Sequence, residues 1–431
     1  MEQVFMETFT AVEWANDTNI YEVNLRQYTE EGTFNAFIKE LPRLRGMGIE
    51  VLWFMPVTPI SKEKRLGTLG SYYACSSYVK TNPEYGTINE FKNLVNAAHV
   101  LGFKVLIDWV ANHTGWDHEW TTEHPDFYRR NLDGQFFDAH GWDDVIDLNY
   151  DNEELNNTMI SSMKFWVDEC DIDGFRCDMA MLVPLVFWKN ARRQLDNVKK
   201  LFWLAECEDI EYHEAFDATY AWKWLHKMET FHRHETGIAG LDDVLKYYDD
   251  MFPATALRAF FTSNHDENSH SGSEYERLGA SAEAFSVLCC TWNAIPLIYS
   301  GQELPNKKRL KFFDKDFIEW NGHYALHDFF KTLLDLRKSN PALKAGSNDV
   351  VTHRLHTDAN HFVFAFIRRH KPTGREVLVV INLSNQHKHL VHITDGQLHG
   401  NYTNVFSNAI KDFTHEKHFA LNAWEYQVYA K

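Results

Sequence analysis

The chain has 431 residues and a formal net charge of −18, with 44% hydrophobic and 15% aromatic residues. This length exceeds one small domain, and the apolar share can fill a large core. The acidic balance argues against a phosphate backbone as partner, since the largest basic cluster is NKKRLK at 306–311, and no run of about 18 apolar residues exists to span a bilayer.

The opening MEQVFMETFTAVEW has no basic stretch followed by an apolar one, which predicts a cytoplasmic protein without a leader. From there short β-like runs alternate with longer amphipathic stretches. The runs are NIYEVNL (19–25), EVLWFMPV (50–57), KVLIDWV (104–110), GFRCDM (174–179), LFWLAEC (201–207), DATYAW (217–222), LRAFFTS (257–263) and AIPLIYSG (294–301). Helical periodicity falls on TFNAFIKELPRLRGMG (33–48), INEFKNLVNAAHVLG (88–102) and LNNTMISSMKFWVDEC (155–170). Eight strands alternating with helices predict an α/β fold, a (β/α)8 TIM barrel. A doubly wound open sheet is the rival, but its Gly-rich first turn is absent. Residues 114–150, rich in Trp, His, Asp and Gly, predict a short subdomain inserted after the third strand. From about 345 the pattern turns to pure alternation, as in HFVFAFIRRH (361–370) and REVLVVINLS (375–384). The expected domains are therefore a barrel over 1–113 and 151–344, an insert over 114–150, and a C-terminal antiparallel β-sandwich over 345–431. The six cysteines, at 75, 170, 177, 207, 289 and 290, show no CxxC spacing and predict buried free thiols in a reducing compartment.

Four of the strand-like runs end in acids, amides or histidine: KVLIDWVANH (104–113), DGFRCDM (173–179), LFWLAECED (201–209) and FTSNHDEN (261–268). A barrel collects the C-terminal ends of its strands around one mouth. Arg176 and Asp178 are two apart, so both face inward. The guanidinium is expected to lower the Asp178 pKa and keep it ionised, and Asp108 to brace Arg176. Glu206 supplies a second carboxylate, and two acids about 5 Å apart form the arrangement of a retaining glycosidase. Asp266 with His265 adds a third acid and an imidazole, and His113 a neutral donor. Spacing alone leaves Glu208 open beside Glu206, and Glu267 beside Asp266. The plainer readings are a structural Asp178–Arg176 ion pair and a helix-start role for Glu206. The 23 histidines show no HxxxH pair beside these acids, which argues against a zinc or redox site. Trp109, Trp116, Trp120 and Trp142 read as sugar platforms or as packing, and Asp143 and Asp144 as a solvated turn.

Taken in order, the four segments resemble the conserved regions of the α-amylase family of glycoside hydrolases (family 13). GIEVLWFMPV (48–57) and IPLIYSGQE (295–303) resemble the family's second- and eighth-strand motifs. SYYACSSYVKTNPEYGT (71–87) resembles the loop carrying a Tyr that stacks on the sugar. The resemblance implies Asp178 as nucleophile, Glu206 as acid/base and Asp266 as the third acid. It further implies Arg176, His113 and His265 in the same subsite and Tyr73 as the stacking ring. DLN (147–149) resembles a motif in which Asp147, with Asn112, binds a structural calcium; no other cofactor is implied. These two oxygen donors fall short of the roughly six to eight that calcium takes. The implied substrate is an α-1,4-linked glucan or malto-oligosaccharide, cleaved through a covalent glycosyl intermediate. The alternatives are transglycosylation or isomerisation of short α-glucosides, and a glycan-binding protein without catalysis. Met181 and Leu182 stand where many α-amylases carry Lys and His to hold the leaving sugar, so the acceptor side is less polar. Nothing in the sequence sets the oligomeric state.

Overall fold

The computed structural model describes residues 9–431; residues 1–8, where the expectation about a leader begins, lie outside the described residues. The strands are β1 (Ile20–Val23), β2 (Val51–Phe54), β3 (Lys104–Trp109), β4 (Gly174–Cys177), β5 (Phe202–Ala205), β6 (Ala218–Tyr220), β7 (Leu257–Phe260) and β8 (Ile295–Tyr299). They close into a barrel in which each pairs in parallel with its sequence neighbour and β8 pairs with β1. Apart from half-buried Lys104 every strand residue is buried. A parallel sheet covered by helices on its outer face and packed inside requires such unbroken apolar runs. Among the described residues no helix is long and apolar enough to cross a membrane.

The helices that follow the strands start and stop for local reasons. Ile88–Val100 opens on a capping box, with the Thr87 hydroxyl accepting from Glu90 N and the Glu90 carboxylate accepting from Thr87 N. Glu153–Cys170 is capped by the Asn152 side chain and ends on Asp171 in the left-handed region. The stretch expected as one helix over 33–48 is two, Phe34–Ile38 and Leu41–Gly46. Pro42 lacks an amide hydrogen and its ring clashes with the carbonyl four residues back, so it starts a second helix and cannot continue the first.

After β3 the chain forms a small antiparallel pair, His113–Gly115 with Val145–Asp147, and the residues between them lie over the mouth of the barrel. The C-terminal region holds a six-stranded antiparallel sheet and a two-stranded one, Lys388–His392 with His418–Leu421. Alternation decides what each face covers. Phe364, Phe366, Val377, Val379 and Ile381 join the core shared with the barrel, whereas Val363, Ala365, Ile367, Leu378 and Val380 form a second core of their own. All six cysteines are buried free thiols.

Candidate active site

Register delivers the functional residues to one level. Asp108 pairs with Arg176 across β3 and β4, and Asp178 N and Glu206 N continue the ladder to Trp109 O and Cys177 O, each at 3.0 Å. The strand ends open into a cavity of about 430 Å³ lined by Tyr73, His113, Asp178, Glu206 and Asp266, with Trp142, Met179 and Phe312 among its walls.

Arg176, fully buried, is the hub. Its Nη1 donates to Asp108 Oδ1 at 2.8 Å and to Asp178 Oδ1 at 3.1 Å. Its Nη2 lies 2.9 Å from Glu206 Oε2, an ion pair out of hydrogen-bond alignment. Asp178 and Glu206 therefore take different terminal nitrogens of one guanidinium. Trp53 Nε1 (3.2 Å) and the Tyr73 hydroxyl (3.0 Å) both donate to Asp108 Oδ2, and this fixes Asp108 as the brace. The chain leaves β4 through Met179 at φ 39°, a left-handed conformation that costs a side-chain-bearing residue about 1–3 kcal/mol. That turn aims Met179 N at Glu206 Oε2, 2.9 Å away.

The direction in which the Asp178 pKa moves differs from the sequence expectation. Burial, and then the charge of Glu206, push its carboxyl well above the usual carboxylate range, and Arg176 only partly opposes them. One guanidinium serves three acids here, so its attraction is divided while each acid carries its own desolvation cost. Asp108 is raised to about 6, mainly by burial.

Across the cavity His265 is an imidazolium. Burial alone would drive its pKa down, but Asp266 and Glu22 hold it well above the ordinary value. Its Nε2 lies 3.1 Å from Asp266 Oδ2 and 2.7 Å from the Tyr73 hydroxyl, and its Nδ1 donates to Glu22 Oε1. Asp266 is correspondingly held below the carboxylate range: burial works against it, and the His265 charge prevails. The centre gathers five carboxyl groups, Glu22, Asp108, Asp178, Glu206 and Asp266, around two cations, Arg176 and His265. Burial pulls His113 down to about 4, leaving it neutral. The Tyr73 ring stacks at 5.4 Å on His265 and 6.3 Å on Phe312.

The alternatives left open by spacing separate in space. Glu208 points to Lys223 at 3.0 Å and accepts from the Tyr248 hydroxyl, while Glu267 lies 3.7 Å from Arg277. Neither lines the cavity. Of the four tryptophans, Trp109 and Trp120 are buried, Trp116 is covered by the Lys64 ammonium, and Trp142 lines the cavity edge-on to His113 at 5.4 Å. Asp143 and Asp144, read from sequence as a solvated turn, also line it, and Asp144 is buried. Sequence reading missed Glu22 and Phe312, whose neighbours in the chain carry no signal of the site, and His270, two residues past the FTSNHDEN segment that does.

Asn112 and Asp147 stand behind His113 and do not line the cavity. The Asn112 amide turns to His113 Nδ1 at 3.2 Å. Asp147 Oδ2 accepts from Ala139 N at 3.1 Å, whereas its Oδ1 is buried without a partner. Asp138, in hydrogen-bonding reach of Asp147, also has a buried, unpartnered Oδ1. Burial, with the Asp138 charge adding to it, raises the Asp147 carboxyl. Orphaned carboxylate oxygens are the donor type calcium takes. Among the described residues, however, no group of three or more His, Cys, Asp or Glu side chains is gathered as ligands.

Comparison with known proteins bears on the family and the fold. A family model described as alpha amylase, catalytic domain, matches residues 3–141 and 128–317, and one described as alpha amylase, C-terminal all-beta domain, matches 354–428. Alpha-amylase MalA of Haloarcula japonica is 26% identical over 398 residues, covering 88% of this chain and 57% of its own length. The chain thus spans a little over half the length of that curated relative. An alpha-amylase structure from Lactobacillus plantarum superposes with a TM-score of 0.87 at 29% identity, over 97% of this chain and 99% of that one. A noncanonic maltogenic alpha-amylase, AmyB from Thermotoga neapolitana, gives 0.85 at 30% identity over 96% of each chain.

Proposed function

The chain belongs to the α-amylase family of glycoside hydrolases, and from that premise we propose that it is a retaining glycosidase of α-1,4-glucosidic bonds in starch, glycogen or malto-oligosaccharides. The observation that carries this reading is the placing of Asp178 and Glu206 on the two terminal nitrogens of Arg176, at one cavity, with Asp266 opposite.

In this reading Glu206 acts as the acid and Asp178 as the nucleophile. An ionised Asp178 oxygen attacks the anomeric carbon as Glu206 gives its proton to the glycosidic oxygen, and the shortened chain leaves. A glycosyl ester on Asp178 remains. Glu206, now a carboxylate, takes a proton from water, and the water oxygen attacks the same carbon, which frees Asp178 and restores the acid. Two inversions give net retention. Asp266, fixed by His265, accepts hydrogen bonds from the sugar hydroxyls. The excess of carboxylates over cations stabilises the cationic transition state. Met179 N–H orients Glu206, and Tyr73 supports the ring by stacking.

The barrel of this enzyme takes in 9–113 of the described residues and 151–344, the insert 114–150 brings Trp142 over the sugar, and 345–431 adds a β domain with one face of its sheet in the barrel's core. A structural calcium would be held by Asp147 with Asn112, and by Asp138, which reading the sequence had not named; it would neutralise the facing carboxylates behind His113. The acceptor flank beside Glu206, where the Met179 side of the cavity is apolar, favours a second outcome in which a sugar in place of water takes the glycosyl group. A glycan-binding role without catalysis would leave the left-handed turn that aims Met179 N at Glu206 without purpose. A product time course on maltoheptaose and soluble starch tests the reading. Reducing ends from the wild type but none from Asp178→Asn are expected, and equal release from both overturns it.

A further inference from the structure

We propose that the cavity is closed on its donor side, so that the protein works from the non-reducing ends of short α-glucans; this rests on the glycosidase reading above. Direction follows from chemistry. Glu206 protonates the departing oxygen, so the leaving sugar lies on the flank of Glu206 and Met179. The donor sugar sits over Asp178, against Tyr73, Asp266 and His113. A glucan continuing toward its non-reducing end must therefore exit beyond Tyr73 and Asp266.

That exit is filled by aromatic side chains. Phe312 lies within 6.3 Å of both the Tyr73 and the His265 rings. His270 packs on Phe312 at 4.8 Å, Phe313 packs on it at 5.0 Å, and Leu66 lines the same end of the cavity. His270 gets there on a π-helical turn, Glu267–Ser271, directly after Asp266.

Three loops are bonded together to make this wall. Leu69 N donates to Phe313 O at 3.0 Å, and Thr68 donates to Asp314 through its amide (2.9 Å) and its hydroxyl (2.6 Å). Buried Arg26 reaches Gly70 O at 2.9 Å and Phe312 O at 3.3 Å, and the Gln27 amide reaches Lys311 O and Asp314 O. Asn268 ties the turn after β7 to the same segment through Lys308 O and Leu310 N. Gly67 is needed there, since a Cβ would stand 2.5 Å from Phe313 Cβ. A wall bonded at so many points holds its place when substrate arrives. The interior of a polymer cannot pass it, so only linkages near a non-reducing terminus meet Asp178.

The test compares 4-nitrophenyl α-maltoheptaoside with the same compound capped at its non-reducing end by a 4,6-O-ethylidene group, with products resolved by chromatography. The proposal expects the capped substrate to be cleaved at least about tenfold more slowly, and the free one to lose short units from its non-reducing end. Phe313→Gly and Asp314→Ala should raise the capped-to-free ratio, a readout from which the folded fraction cancels. Equal rates on both substrates in the wild type overturn the closed end. A slow capped substrate with the ratio unmoved in both variants overturns this wall as its cause. Cleavage of neither substrate overturns the glycosidase reading itself, and the proposal with it.

Discussion

Asp173 and Asp178 bracket the same strand, β4, and sit at opposite ends of the barrel. Both are buried. Asp173 accepts from Val105 N at 2.9 Å and His99 Nε2 at 2.7 Å, with Lys104 and Lys199 Nζ each at 3.2 Å. Burial works against its charge, but His99, Lys199 and the Val105 amide bring its carboxyl down to about 2. Asp178 shares one guanidinium with Asp108 and Glu206, and burial with the Glu206 charge carries it well above the usual range. Residue type, strand and burial are alike, so the ratio of cations to acids makes the difference. One acid beside two ammonium groups holds the fold together. Three acids on one guanidinium are costly to hold.

The sharpest way to break this contrast is to neutralise each acid in turn. Asp178→Asn should lower kcat/KM by about ten-thousand-fold or more, while thermal unfolding shows a Tm unchanged or raised, because a costly charge is gone. Asp173→Asn should do the reverse. Unfolding by urea should show a loss of about 3 kcal/mol, as for breaking a buried charge network, with kcat/KM close to wild type.

Acid should act on both ends with definite sign. His113, held down to about 4, and His118 and His213, each held down to about 3, are neutral and buried when folded. The unfolded chain binds their protons first, so this stability is complete above the unfolded value of about 6.5 and is lost as pH falls through the folded values. Calorimetry should show Tm declining from about pH 6.5 downward. The Asp173 contribution persists further, and is lost only as pH approaches about 2. The smallest effect belongs to Met179→Gly. Relief of the left-handed residue should add about 1 kcal/mol to the unfolding free energy, with a modest fall in kcat as the amide that aims Glu206 loosens.

The eight barrel strands were legible because parallel strands buried on both faces must be continuous apolar runs. The break at Pro42 was overlooked because the apolar spacing of 33–48 runs through it. Val350–Arg354, Asn401–Asn404 and Ile410–Asp412 gave no signal, being polar or half-exposed strands toward the edges of their sheet. At the site, Arg176 and Asp178 could be placed on one side by parity, whereas Glu22, His270, Phe312 and Asp138 are joined to it only through folding. The direction of the Asp178 pKa was misread for a related reason. Pairwise reasoning sees a guanidinium two residues away, but not the two other acids that share it.

The central claim is that Asp178 forms a bond to the sugar while Glu206 moves the proton. Glu206→Gln should be mixed with α-glucosyl fluoride, whose leaving group needs no acid, then quenched and examined by intact-mass spectrometry and peptide mapping. The account predicts an added mass of one glucosyl unit on the peptide containing Asp178, absent when Asp178→Asn is combined with Glu206→Gln. No adduct at all, or an adduct on another carboxylate, would contradict it.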